Sequence, residues 1–272
     1  MPHSTNRGLP SLALVTFAVG LAGLGVLGLV NGDFALQWQP VPAAWPLRTP
    51  LAYLTGATEV MIAIALMAPR LRSSAAHVLL VFALAWVVLL KIPVVVAAPL
   101  VEVSWLGLGE ISMVLAGSLS LIGTPRCRRA ARIVFALALI PVGLSHLVYA
   151  KATAGFIPAW IPFKLGWAYF TGAAQIAAGL AVLFDVLAVL AATLEALMLG
   201  LFAVLVWAPV VARTPAVRLP WTALLITWVI AATAWVVTSD LALPSDATGE
   251  SERVRGFASA STNIDEISLT RS

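Results

Sequence analysis

Eight separate runs of apolar residues, at 9–31, 50–68, 75–98, 105–123, 133–150, 166–184, 186–210 and 220–239, dominate this chain. A bilayer's hydrocarbon core is about 30 Å thick and needs about 20 apolar residues per helix, so each run has the length of a membrane crossing. Lipid offers the backbone no hydrogen bonds, so the runs read as helices and not as open strands. Only 10% of the 272 residues are charged, whereas soluble domains carry about 25%. The expected fold class is therefore an all-α integral membrane protein with eight transmembrane helices. The first run is longer than a signal-peptide core and no A-x-A site follows it, so it too reads as a span.

Several function classes fall away at once. The net charge of +4 is not gathered into a basic, aromatic-interleaved surface, so no nucleic-acid partner is expected. A single cysteine, Cys127, rules out an internal disulfide, a CxxC pair and a four-cysteine zinc site. With three histidines in all, no metal site is expected. No flavin or dinucleotide motif is evident either, so no cofactor can be read from motifs alone.

Arginines set the expected orientation. Arg70 and Arg72, then Arg126, Arg128, Arg129 and Arg132, fall in loops on one side. Arg48, Lys151, Lys164, Arg213 and Arg218 fall on the other. The first side should be cytoplasmic, with both termini there, in a bacterial-type inner membrane. From about residue 240 the chain turns polar and reads as a disordered cytoplasmic tail.

Sliding the sequence by 116 residues lays Val41–Val96 onto Ile157–Ala212 without a gap, with seventeen of 56 positions identical. Pro42, Pro46 and Pro93 fall on Pro158, Pro162 and Pro209, and lipid-facing apolar composition alone would not align prolines. The expected organisation is a first four-helix unit (1–123), a basic linker (124–132), a second four-helix unit (133–239) and the tail (240–272). With four helices each, the units would be parallel repeats about an axis along the membrane normal. The proline-rich stretches 40–50 and 156–166 would lie at the outer interface, with Trp45 and Trp160 at headgroup level.

The segment GLSHLVYAKATAGFIPAWIPFKLGWAYFTGAAQIAAGLAVL resembles the DoxX family of small membrane proteins. Gly143 and His146 match the family's G-x-x-H, Pro158 and Pro162 its proline segment, and Tyr169, Thr171 and Gly172 its second helix. Gln175 stands where the family has an acid, which the first half keeps as Glu59. At the same offset, Leu27 and Val30 stand where the second half has Gly143 and His146. The resemblance implies a four-helix unit and, by analogy, a membrane subunit of quinone-linked redox chemistry.

A charge at mid-helix costs about 2.5–3.5 kcal/mol on insertion scales, so each such residue needs a reason. Glu59, Lys91, Glu110 and Glu195 all lie within spans. Glu59 and Lys91 are each about 11–12 Å from the outer end of adjacent antiparallel helices, so they are expected to approach each other, with Glu110 placed to join them. Their plain role is a structural ion pair; their sharper one is a quinone head-group or proton-handling site, with Tyr53 contributing. Glu195 has no basic residue at its depth and reads as a protonated or hydrogen-bonded carboxyl. His146, Tyr169 and Gln175 complete the candidate ligand or proton-handling set.

Three functions follow as expectations. The first is a quinone-binding or non-catalytic subunit that receives electrons from a soluble or membrane redox partner. The second is a transporter of a small or lipophilic solute. The third is a structural or assembly factor, whose function would survive joint neutralisation of Glu59 and Lys91.

Overall fold

The computed structural model describes residues 11–243. The expected tail falls outside them from residue 244 onward. Among the described residues the chain is helical throughout its ordered elements. The long helices are α1 (Leu12–Asn31), α2 (Arg48–Met67), α3 (Arg72–Ala97), α4 (Glu102–Ile122) and α5 (Pro125–Val148). A short α6 (Ala150–Phe156) precedes α7 (Lys164–Phe184), α8 (Ala188–Arg213) and α9 (Arg218–Leu241). The eight long helices are long and apolar enough to cross a membrane, and their outward faces carry exposed Met61, Ile64, Val81 and Leu197. Apolar faces on this scale suit lipid, not water. The molecule is an all-α multi-pass membrane protein.

Local chemistry sets the helix ends. Ser11 caps α1, its Oγ accepting the Leu14 N–H at 3.3 Å, and Gly32 ends it at φ 59°. The stretch 124–132, expected as a linker, is helical from Pro125. Thr124 accepts the Cys127 N–H at 3.2 Å and Pro125 supplies a preset first turn. Hydropathy placed this boundary too late because the first two turns of α5 carry four arginines. One of them, Arg132, spans to α7, where it donates to the carbonyls of Val182 (2.8 Å) and Leu183 (3.2 Å) and pairs with Asp185 (3.1 Å).

Late in α3 and α8 the helix widens into a π turn, at Val87–Lys91 and Phe202–Trp207. The Ile92 N–H bonds the Val87 carbonyl, and the Ala208 N–H bonds the Ala203 carbonyl, five residues back in each case. Pro93 and Pro209 follow directly. A proline lacks the N–H and its ring crowds the carbonyl four residues back, so a widened turn relieves the clash and keeps the helix running.

The long helices form a closed cycle of neighbours: α1 packs on α2, α2 on α3, α3 on α4, α4 on α5, α5 on α7, α7 on α8, α8 on α9, and α9 back on α1. Helices α4 and α9 also meet across the middle. One apolar core gathers Phe17, Leu21, Leu66 and Leu79; the other gathers Phe135, Leu139, Val182 and Leu199. Both draw on α4 and α9, through Val114 and Val229 in the first and Met113 and Ile230 in the second.

Two glycine crossings fix the first helix pair of each half. A methyl at Gly25 would meet the Gly56 carbonyl oxygen at 2.5 Å, and one at Gly143 would meet the Gly172 carbonyl oxygen at 2.6 Å. Only a residue without Cβ allows backbones this close. This corrects one alignment. Gly25, not Leu27, stands where Gly143 does, so Gly28 stands opposite His146. The intervening segments differ by two residues: a 3-10 turn (Leu36–Trp38) occupies the first, and the longer α6 the second.

Candidate functional site

In the first half the polar side chains are drawn inward from three elements. Glu59 of α2 is buried, and its partner comes from the loop between α1 and α2, at the end of the 3-10 turn. Gln39 Nε2 donates to Glu59 Oε1 at 2.7 Å, while Gln39 Oε1 accepts the Ala35 N–H at 2.8 Å. Phe34 and Trp38 are buried beside it, with the Phe34 and Trp86 rings edge to face, 5.9 Å between centroids. The loop thus fills the space next to Glu59 with its own side chains.

The expected Glu59–Lys91 pair does not form. Lys91 lies in the π turn, buried, with its Nζ over α4, where a methyl on Gly107 would come within 2.6 Å of it. The acid that attracts it is Glu110, one turn further along α4. The widened turn redirects position 91 relative to a regular helix, which an estimate from depth alone could not anticipate. Glu102 opens α4 on the same side. Both its carboxylate oxygens are buried and lack a hydrogen bond among the described residues.

Tyr53 and Tyr169 join neither half's polar groups. Each is about half exposed (47% and 49%). The Tyr53 hydroxyl leans over the turn at Gly32, where an added methyl would meet it at 2.9 Å.

At the proline-segment end, Asp33 ties three elements together. Arg48 of α2 pairs with it at 2.7 Å and Arg218 of α9 at 3.2 Å. Arg218 also donates to the carbonyls of Asp33 and Phe34, and Arg48 to the carbonyl of Val41. Partial burial raises the Asp33 pKa, but the Phe34 N–H, Arg218 and Arg48 outweigh it and hold the carboxyl below its ordinary value.

The second half is built differently. Between α7 and α8 lies a cavity of about 740 Å³, lined almost wholly by apolar side chains. Trp167, Phe170 and Thr171 reach it from α7, Glu195 and Met198 from α8, and Phe202 from the π turn. Glu195 is 1% exposed, and neither carboxyl oxygen has a hydrogen bond among the described residues. Gln175, at the position of Glu59 in the other half, is fully buried with its amide likewise unpaired. It packs toward α5, where a methyl on Gly143 would meet its Cβ at 3.1 Å.

His146 stands behind the cavity wall. Its Nδ1 lies 2.8 Å from Thr171 Oγ1, and its ring stacks on Phe202 with 5.6 Å between centroids. The Thr171 hydroxyl also lies within hydrogen-bond distance of the carbonyls of Trp167 (2.9 Å) and Ala168 (3.2 Å) on its own helix.

Of the eight sequence candidates, the structure gathers Glu59 with Gln39, Lys91 with Glu110, and His146 and Glu195 around the α7–α8 cavity. Gln39, Asp33, Thr171 and Glu102 were not candidates. Thr171 alone carried a signal, as part of the Y-x-T-G match. Among the described residues no three His, Cys, Asp or Glu side chains come close enough to hold a metal ion. Comparison with family models, curated proteins and solved structures returns no match.

Proposed function

We propose that this protein is a DoxX-like, internally duplicated membrane protein that binds a quinone-class molecule between α7 and α8 and serves as the membrane subunit of a redox complex. Electrons would come from a partner protein. The chain would sit in a bacterial-type inner membrane with its arginine-rich end, and both termini, in the cytoplasm.

The observation that carries the reading is the cavity itself. Its volume of about 740 Å³ falls in the range of about 300–1,000 Å³ usual for small-molecule sites. It is apolar enough for an isoprenoid-type molecule and places one carboxyl, Glu195, where a ring oxygen would need a polar contact. Duplication is supported by features that coincide at an offset of 116: the starts of α2, α3 and α4 with those of α7, α8 and α9, and the two π turns before Pro93 and Pro209. The left-handed residues Leu47 and Phe163, just ahead of α2 and α7, coincide too.

A second reading is transport of a lipophilic solute. It is favoured by the exposed Phe170, Leu190, Leu194 and Leu197 around the cavity, which open it toward lipid. Organic extraction and mass spectrometry of protein purified from native membranes separates the two readings. Quinone near one mole per chain, reduced to background in Ala174→Phe, supports the redox reading. Quinone no higher than in an unrelated membrane protein, together with solute flux in vesicles, supports transport.

A further inference from the structure

We infer that the outward face of α5 seats an anionic phospholipid, with the phosphate held by Arg126 and Arg129 and an acyl chain lying along Ile133 and Leu137. The inference is independent of what occupies the α7–α8 cavity.

The four arginines at the start of α5 divide into two pairs. Arg128 and Arg132 are spent within the protein. Arg128 donates to the Gly123 carbonyl at 3.0 Å and pairs with Asp240 at 3.0 Å. Arg132 reaches the last carbonyls of α7 and Asp185. Arg126 and Arg129 are exposed, and their guanidinium groups make no ion pair or hydrogen bond among the described residues. The helix itself gives no reason for them. Positive charge at a helix N-terminus opposes the dipole, and the first turn of α5 holds no acid to offset it.

What lies below the second pair names the ligand. Positions 126, 129, 133 and 137 follow one another at steps of three and four, so they share one face of the helix. Ile133 and Leu137 are exposed there, and the stripe runs on through exposed Leu144 and Val148. At about 1.5 Å per residue, Leu137 lies about 12 Å along the axis from Arg129, within one leaflet of a core about 30 Å thick. Two free cations at the end of a membrane-crossing helix, above an apolar strip, match a molecule built the same way: an anionic head on a hydrocarbon chain. Guanidinium groups suit the phosphate because each presents paired N–H donors. A soluble anion or an acidic protein would use the arginines and leave the strip idle. Orientation in the bilayer needs charge near the helix end but not its placement above one stripe.

The test is native mass spectrometry of the full-length protein in detergent, titrated with dioleoyl phosphatidylglycerol or dioleoyl phosphatidylcholine. The two lipids share their chains and phosphate and differ in net charge. The first phosphatidylglycerol should bind about tenfold more tightly than phosphatidylcholine, since each arginine at the headgroup adds to the attraction. The joint variant Arg126→Gln, Arg129→Gln should lose that preference. Arg70→Gln, which removes an exposed arginine of the α2–α3 loop, should keep it. Excess glycerol 3-phosphate should not displace the lipid. Equal binding of the two lipids, or a preference unmoved by the joint variant, overturns the inference. So does a preference lost equally in Arg70→Gln, which shows diffuse surface charge, and so does displacement by glycerol 3-phosphate, which shows an anion site without use of the strip. Where the glutamine variant fails to accumulate, Arg126→Lys with Arg129→Lys keeps the charge but not the paired donors. It should weaken phosphatidylglycerol binding several-fold, and unchanged binding overturns the inference.

Discussion

At the scale of single residues, this molecule deals with buried polarity in two ways. Glu59 is matched from within: Gln39, in the loop between α1 and α2, reaches α2 and donates to it at 2.7 Å. Replacing Gln39 by Leu removes that donor and leaves a buried acid alone, which should cost about 2 kcal/mol. Thermal unfolding in detergent reads this directly. A joint Gln39→Leu, Glu59→Leu variant should regain most of the loss, and a neutral Gln39→Leu would show that the bond contributes nothing. Asp33 is the second case, held ionised by Arg48 and Arg218. Its pKa is lower folded than unfolded, so its contribution is complete above the ordinary aspartate value of 3.8 and is lost as pH falls through the folded value. Asp33→Asn should cost about 1 kcal/mol or less at neutral pH, because the pair is partly exposed. It should also flatten the acid limb of a stability-against-pH curve below about pH 4. An acid limb identical in the variant would contradict the clamp.

At the scale of helices, apolar run length fixes the eight crossings, and the boundaries fall within a few residues of the observed ends everywhere except at α5. There the arginines that stop a hydropathy scan sit on helical turns already begun at Pro125. The prolines 116 residues apart were legible in the sequence, but their consequence was not. A π turn re-aims every side chain near it, so Lys91 turns to α4 and Glu110 when its depth suggested Glu59. Gln39 was illegible for another reason: a polar residue in a loop carries no periodic signal, and only the folded path shows that it points inward. In α8 the same kind of turn carries Phe202, Leu205 and Val206 into the cavity wall. Pro209→Ala removes the reason for the widened turn. Reversion to regular α-helix should raise thermal stability, shift these side chains and weaken quinone or quinol binding by about tenfold, equal to 1.4 kcal/mol. Unchanged binding in a variant with raised stability would separate the turn from the site.

At the scale of the whole molecule, the two halves are interlocked and not alike. The first helix of each half packs on the last helix of the other, and α4 and α9 contribute to both cores. Similar helical frames then hold different contents. In the first half the loop between α1 and α2 turns Phe34, Trp38 and Gln39 inward and closes the space beside Glu59. In the second half, α6 and the chain through Pro158 leave a cavity beside Glu195. Sequence reasoning favoured the first half as the ligand site because its charges are more numerous. Glu59 has its donor in Gln39 and Lys91 its acid in Glu110, whereas Glu195 stands on an apolar cavity wall without a hydrogen bond among the described residues. Photolabelling native membranes with an azido-substituted, alkyl-tailed benzoquinone, followed by peptide mapping, tests this assignment. Label should appear on α7 and α8, between Trp167 and Phe202, and should be competed by unlabelled quinol. Label concentrated on α2 and α3 around Glu59 and Lys91, or label that no quinol displaces, would contradict it.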